Sequence, residues 1–214
     1  MTFLLLTQLL AAAAAVFCIA AFAIRLRTFL RLTVPKDRSQ LKGSPNAGIA
    51  YALSLGMLPW AKESTRRHAL AYLRGVGFHM TVFLVLGLFL ASPWLGLIPG
   101  AVRAGLATLC GLGSLLALFG FLSRFIEKNL KALSTPDDYF ATLLVSLFLA
   151  GAAAMLLNLN LLPLFYLVSA LVFVYMPLGK IRHCIYFVFS RLFFGRFFGR
   201  RAVLPHSQQQ EGIA

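Results

Sequence analysis

Charge-free apolar runs dominate the pattern along the chain. Thr2 to Ile24, Gly75 to Val102 and Ala104 to Ser123 each carry no Asp, Glu, Lys or Arg. A helix crosses the hydrocarbon of a bilayer with about 20 apolar residues, so each run is read as one span. Pro93, Pro99 and Gly100 mark the turn that follows the second. From Tyr139 to Gly179 the chain runs 41 residues without a charge, enough for two spans. The Asn158-Leu159-Asn160-Leu161-Leu162-Pro163 stretch in its middle supplies the turn of a helical hairpin. The expectation is an all-α integral membrane protein with five transmembrane helices, at about 2–24, 75–98, 104–123, 139–158 and 161–183. These make one membrane domain, 1–199, followed by a polar tail, 200–214.

Composition agrees. Of the 214 residues, 60% are apolar and 12% charged, against about 45–50% and 25% in a typical soluble domain. The 20 Phe residues also exclude a disordered basic chain, which carries few aromatics. The net charge of +14 would suggest a nucleic-acid partner in a soluble protein; here its placement gives orientation instead. Segment 25–74 holds ten Lys/Arg, 124–138 three and the part from Lys180 six, leaving Arg103 alone for the other face. By the positive-inside rule the N-terminus lies outside and the C-terminus in the cytoplasm.

Gly43 to Ala61 is also charge-free, but crossing there would put six positives (25–42) and four (62–74) on opposite faces. Being short and broken by Gly43, Pro45, Gly48, Gly56 and Pro59, it is read as a cytoplasmic interfacial segment, 43–61. The first span is not a cleavable signal peptide, because Arg25, Arg27 and Arg31 follow the apolar run rather than precede it. Cys18, Cys110 and Cys184 are scattered, with no CxxC or CxxCH, which argues against zinc, an iron–sulfur cluster or a covalently attached haem.

Four histidines carry the candidate chemistry. His79 lies inside the second span, five residues after Arg74, and an ionisable group at that depth points to function. The structural alternative is a neutral ring bonded to a neighbouring carbonyl. His183 follows the inner end of the fifth span, in Met176-Pro177-Leu178-Gly179-Lys180-Ile181-Arg182-His183. Both reach the cytoplasmic face, and two neutral imidazoles from facing helices are what a low-spin b-type haem takes as axial ligands. Arg67, Arg74, Lys180 and Arg182 lie at that face as candidate propionate partners, or as headgroup anchors. His68 precedes His79 by eleven residues and shares its helix face; with His206 in the tail it forms a weaker candidate pair for a second haem.

At these residues the chain resembles the membrane cytochrome b (gamma) subunit of respiratory nitrate reductase. It is more similar still to the related subunits of heterodisulfide-reductase-like redox complexes of sulfate reducers, among them the sulfite-reduction membrane complex and the high-molecular-weight cytochrome complex. The likeness rests on five spans with the N-terminus outside, Phe78-His79 opening the second span, the Met-Pro-Leu-Gly-Lys-Ile-Arg-His run ending at His183, and Leu133-Ser134-Thr135-Pro136-Asp137-Asp138 before the fourth. It implies one haem b near the cytoplasmic face on His79 and His183. The positions matching the ligands of the family's outer haem are Phe89 and Phe165, so that haem is expected to be missing. The resemblance further implies a bacterial inner membrane, other membrane subunits, a cytoplasmic iron–sulfur protein and the quinone pool, with menaquinone as a candidate ligand. Lys62, Ser64 and Tyr72 are candidate quinone contacts.

The doubled Phe-Phe-Gly-Arg of 193–200 reads as a basic, aromatic anchor for anionic lipid headgroups, or as a docking surface for the iron–sulfur partner. Taken together these features predict an electron-transferring subunit rather than a stand-alone enzyme. A cofactor-free membrane anchor of the same kind of complex is the alternative. A transporter would need broken helices with polar groups at mid-membrane and an internal repeat, and the sequence displays neither.

Overall fold

The computed structural model describes residues 2–32, 37–61 and 67–204. Every regular element among them is helical. They are α1 (Phe3–Leu30), α2 (Pro45–Leu53), α3 (Ala69–Leu90), α4 (Gly100–Ile126), α5 (Lys128–Leu133), α6 (Pro136–Leu157), α7 (Leu162–Tyr175) and α8 (His183–Arg200), with short 3-10 turns between several of them. Of these, α1, α3, α4 and α6 are each long and apolar enough to cross a membrane, the signature of a multi-pass membrane protein.

Helix ends differ from the apolar runs in instructive ways. Charge ends hydrophobicity but not hydrogen bonding, so α1 continues past Ile24 and carries Arg25 and Arg27 into its last turns, where cations favour the negative end of the helix dipole. Helix α6 starts at Pro136 rather than Tyr139. Proline suits the first helical position, and the Asp138 carboxylate accepts from the Thr135 backbone N–H at 2.8 Å and from its hydroxyl at 2.9 Å. Helix α3 stops at Leu90, and the expected remainder of that span, Ser92–Leu97, is a 3-10 turn opened by Pro93.

The expected fifth span, 161–183, is not one α-helix. Helix α7 has 14 residues, about 21 Å at 1.5 Å per residue and short of a ~30 Å hydrocarbon core. Pro177 has no N–H for the next helical bond, and the chain turns through 176–179 and a 3-10 turn, Lys180–Arg182, before α8 starts at His183. It counts as a fifth span only if α7 and α8 are taken together as one broken span.

Two compact units divide the chain: Met1–Ile24 with Leu73–Arg182, and Arg25–Tyr72 with His183–Ala214. In the first, α4 packs along α6. The buried face of α4 is Ala107, Cys110, Gly113, Ala117, Gly120 and Ser123 at spacings of three and four. Apolar attraction between helices vanishes in lipid, so small residues that permit close packing take over. Ser114 and Ser146 each donate to the other's carbonyl, at 3.0 and 3.2 Å. Helix α1 adds Ala11, Ala14 and Cys18 against Tyr166, Ala170 and Phe173.

The second unit is built on α2 against α8. Gly48 meets Gly195 and Gly199 so closely that a Cβ on any of the three would overlap backbone atoms of the facing helix. Ser44, Gly48 and Ala52 repeat at every fourth position, facing the Gly-x-x-x-Gly of 195–199; this is small-residue helix packing. The glycines of the doubled Phe-Phe-Gly-Arg therefore have an internal structural task. Beyond α8, Lys42 and Gly43 donate their backbone N–H groups to the Arg200 carbonyl at 2.9 and 3.1 Å, satisfying a helix-end acceptor. Arg201 closes the same corner by a two-point pairing with Asp37 at 2.9 and 3.1 Å.

Candidate functional site

His79 sits in α3 within the first unit and is exposed. Its Nδ1 lies 2.7 Å from the carbonyl oxygen of Gly75, one turn earlier. A carbonyl only accepts, so Nδ1 carries the proton and, in the neutral ring, Nε2 carries the lone pair. The ring meets its neighbour Phe78 edge-on at 5.1 Å. Metal-bound histidines have this arrangement, in which one ring nitrogen is held by a carbonyl and the other directed at the metal. A structural histidine bonded along its own helix has the same arrangement.

His183 is the first residue of α8, belongs to the second unit and is exposed. His68 lies just before α3, also exposed; its carbonyl accepts the Tyr72 N–H at 3.0 Å. It therefore stands at the opening of the helix that carries His79. His206, Lys62 and Ser64 lie outside the described residues.

The cations have varied surroundings. The Arg74 guanidinium stands 5.1 Å over the Phe119 ring of α4. Lys180 pairs with Asp138 at 2.5 Å, so the carboxylate that caps α6 also holds the turn after α7. Beside it, the Tyr175 hydroxyl donates to the Asp137 carboxylate. Arg182 is exposed at the end of its 3-10 turn, and Arg67 is exposed at the approach to α3. Tyr72 donates its hydroxyl to the Met57 carbonyl. No local signal announced the Lys180–Asp138 pair, whose members are 42 residues apart in sequence.

Phe89 and Phe165, the two positions that match outer-haem ligands in the resemblance, meet each other. Their ring centroids are 6.4 Å apart, and Phe173 lies 4.8 Å from Phe89. Phe148 stacks on Phe165 at 5.7 Å, and Phe165 is fully buried. Beside them the Tyr166 hydroxyl and Ser92 Oγ share a buried hydrogen bond of 2.8 Å, and Ser92 Oγ donates to the Phe89 carbonyl at 2.6 Å. Packed aromatic side chains thus occupy the region between α3 and α7, with their polar tips satisfied.

Among the described residues no three His, Cys, Asp or Glu side chains gather to hold a metal ion. A haem brings four equatorial nitrogens and asks a protein only for axial ligands, and His79 has the tautomer and exposure for one. Comparisons of the chain with family models, with curated proteins and with solved structures return no match, so the resemblance to the cytochrome b subunits stands on the motifs quoted for it.

Proposed function

We propose that this chain is the b-type haem electron-transfer subunit of a respiratory redox complex in a bacterial inner membrane, with the N-terminus outside and the C-terminus cytoplasmic. The observation that supports the reading is the His79 ring, whose Nδ1 lies 2.7 Å from the Gly75 carbonyl, so that in the neutral ring Nε2 carries the lone pair an iron would take. His183 is the second axial ligand that the resemblance implies. When bound, the haem supplies reversible one-electron chemistry. The chain's own residues would orient the imidazole through the Gly75 carbonyl and offer Arg74 and Arg182 to the propionates. Lys180 suits that role less, being paired with Asp138.

The packed pair Phe89 and Phe165 favours one haem in this chain rather than two. Electrons then pass between the quinone pool, menaquinone being the candidate, or a redox centre in a neighbouring membrane subunit, and a cytoplasmic iron–sulfur protein. A basic surface suits the latter contact: Asp37 is the only acidic residue among the described residues of the second unit, and it is already paired with Arg201.

The test is a dithionite-reduced minus oxidised spectrum of the purified chain, quantified as pyridine haemochrome. One haem b per chain is expected, lost in His79→Ala and in His183→Ala. Well-folded protein without haem would overturn the reading and leave the cofactor-free anchor, which the same basic unit favours.

A further inference from the structure

We propose that Gly75 is a positioning residue for the haem, keeping the turn of α3 beside His79 clear of a side chain that would crowd the bound group; the inference rests on the assignment of His79 as a haem ligand. Glycine weakens a helix interior, so a glycine in mid-helix calls for a reason. Gly77, two residues on, has one in packing: a Cβ there would stand 3.2 Å from the Leu116 side chain of α4. At Gly75 a Cβ would meet no described atom within 4 Å. Backbone conformation supplies no reason either, since no described glycine has a positive φ.

What sets Gly75 apart is its neighbour. Its carbonyl receives the His79 Nδ1 proton, and helical side chains lean toward the N-terminus. The imidazole therefore lies over the turn that Gly75 occupies. A Cβ at 75 would still stand more than 4 Å from that ring. The turn thus carries an oriented imidazole and, at 75, a position where a Cβ would meet none of the described atoms within 4 Å. A haem held by His79 would lie close to this turn, and a bulky aliphatic side chain at 75 would compete with it for volume.

The experiment measures haem per chain by pyridine haemochrome in purified wild type, Gly75→Ala, Gly75→Leu and Gly87→Leu, with helicity and monodispersity checked for each. Haemin titration of the haem-free proteins gives the affinity. Gly87 is the control: it is on the same helix, and a Cβ there also meets nothing within 4 Å. The expected result is full haem in Gly87→Leu, a measurably weaker haem affinity in Gly75→Ala and a loss of about tenfold or more in Gly75→Leu, the size of an overpacking effect. If Gly75→Leu does not assemble, Gly75→Val is read the same way. A folded Gly75→Leu or Gly75→Val with wild-type haem affinity and midpoint potential overturns the role of Gly75 and leaves the His79 assignment standing. Wild type without haem overturns that assignment, and this inference with it.

Discussion

In the first unit helices meet through side chains: α4 buries a row of small residues, with Gly113 against Thr81 of α3, and packs along α6, while the Phe89, Phe148, Phe165 and Phe173 rings fill the space toward α7. In the second, α2 and α8 meet through backbone atoms at Gly48, Gly195 and Gly199, and polar bonds from Lys42, Gly43 and Arg201 lock the corner. The contrast follows from what each unit contains. Long apolar helices have rings and methyl groups to interdigitate, while a nine-residue helix such as α2 has little area and must gain contact by coming closer. Side-chain packing relaxes around a defect, whereas backbone packing has no rotamer to change.

This difference can be broken at its strongest point first. Phe165→Ala removes a fully buried ring, and loss on the order of 3–5 kcal/mol is expected. The stability of the detergent-solubilised chain should fall accordingly, with the Ser92–Tyr166 pair loosened. A neutral result would mean that the aromatic cluster is not what holds α3 to α7.

Next comes the second unit. Gly195→Leu drives a side chain into the backbone of α2 and should cost about 3 kcal/mol, the upper end of overpacking. Limited proteolysis should then cut near 37–61 while α4 and α6 stay protected. Equal protection of 37–61 in wild type and variant would show that the α2–α8 contact yields more easily than its geometry implies.

The smallest effect sharpens the polar side of the comparison. The Arg201 guanidinium and the Ser39 backbone N–H hold the Asp37 carboxyl well below the usual carboxylate range. A carboxyl lowered by folding adds stability that is present above its unfolded value, about 3.9, and is lost as pH falls toward the folded one. Melting of the wild type should therefore be insensitive to this group from pH 7 to 5 and decline below about pH 4. Asp37→Asn should melt slightly lower at pH 7 and lack that part of the decline. Parallel curves for the two proteins across the range would remove the pair from the account.

Sequence made the four long helices legible, because each is announced by a charge-free run that no water-soluble fold needs. Their ends were less so. Arg25 and Arg27 end the apolar run but not α1, while Pro136 and Pro177, which act on backbone hydrogen bonds, set the start of α6 and the break after α7. The position of His79 was readable from its depth in an apolar run. Its acceptor, Gly75, lies at the i−4 spacing that helical geometry favours, so the tautomer was within reach of the same reasoning. The Lys180–Asp138 pair and the Gly48 contact were not, since each joins residues far apart in sequence whose meeting depends on the tertiary fold. The glycines at 195 and 199 were visible as a repeat, but nothing local says that α2 is their partner.

That contact also has a consequence in time. Gly48 precedes Gly195 by 147 positions, and at 5–20 residues per second a ribosome takes roughly 7–30 s to cover that distance. Throughout the interval the small-residue face of α2 has no α8 to close against, while α3, α4, α6 and α7 are being made. The second unit is thus completed only after the long helices have been synthesised, and its closure reports that nearly the whole described chain has emerged.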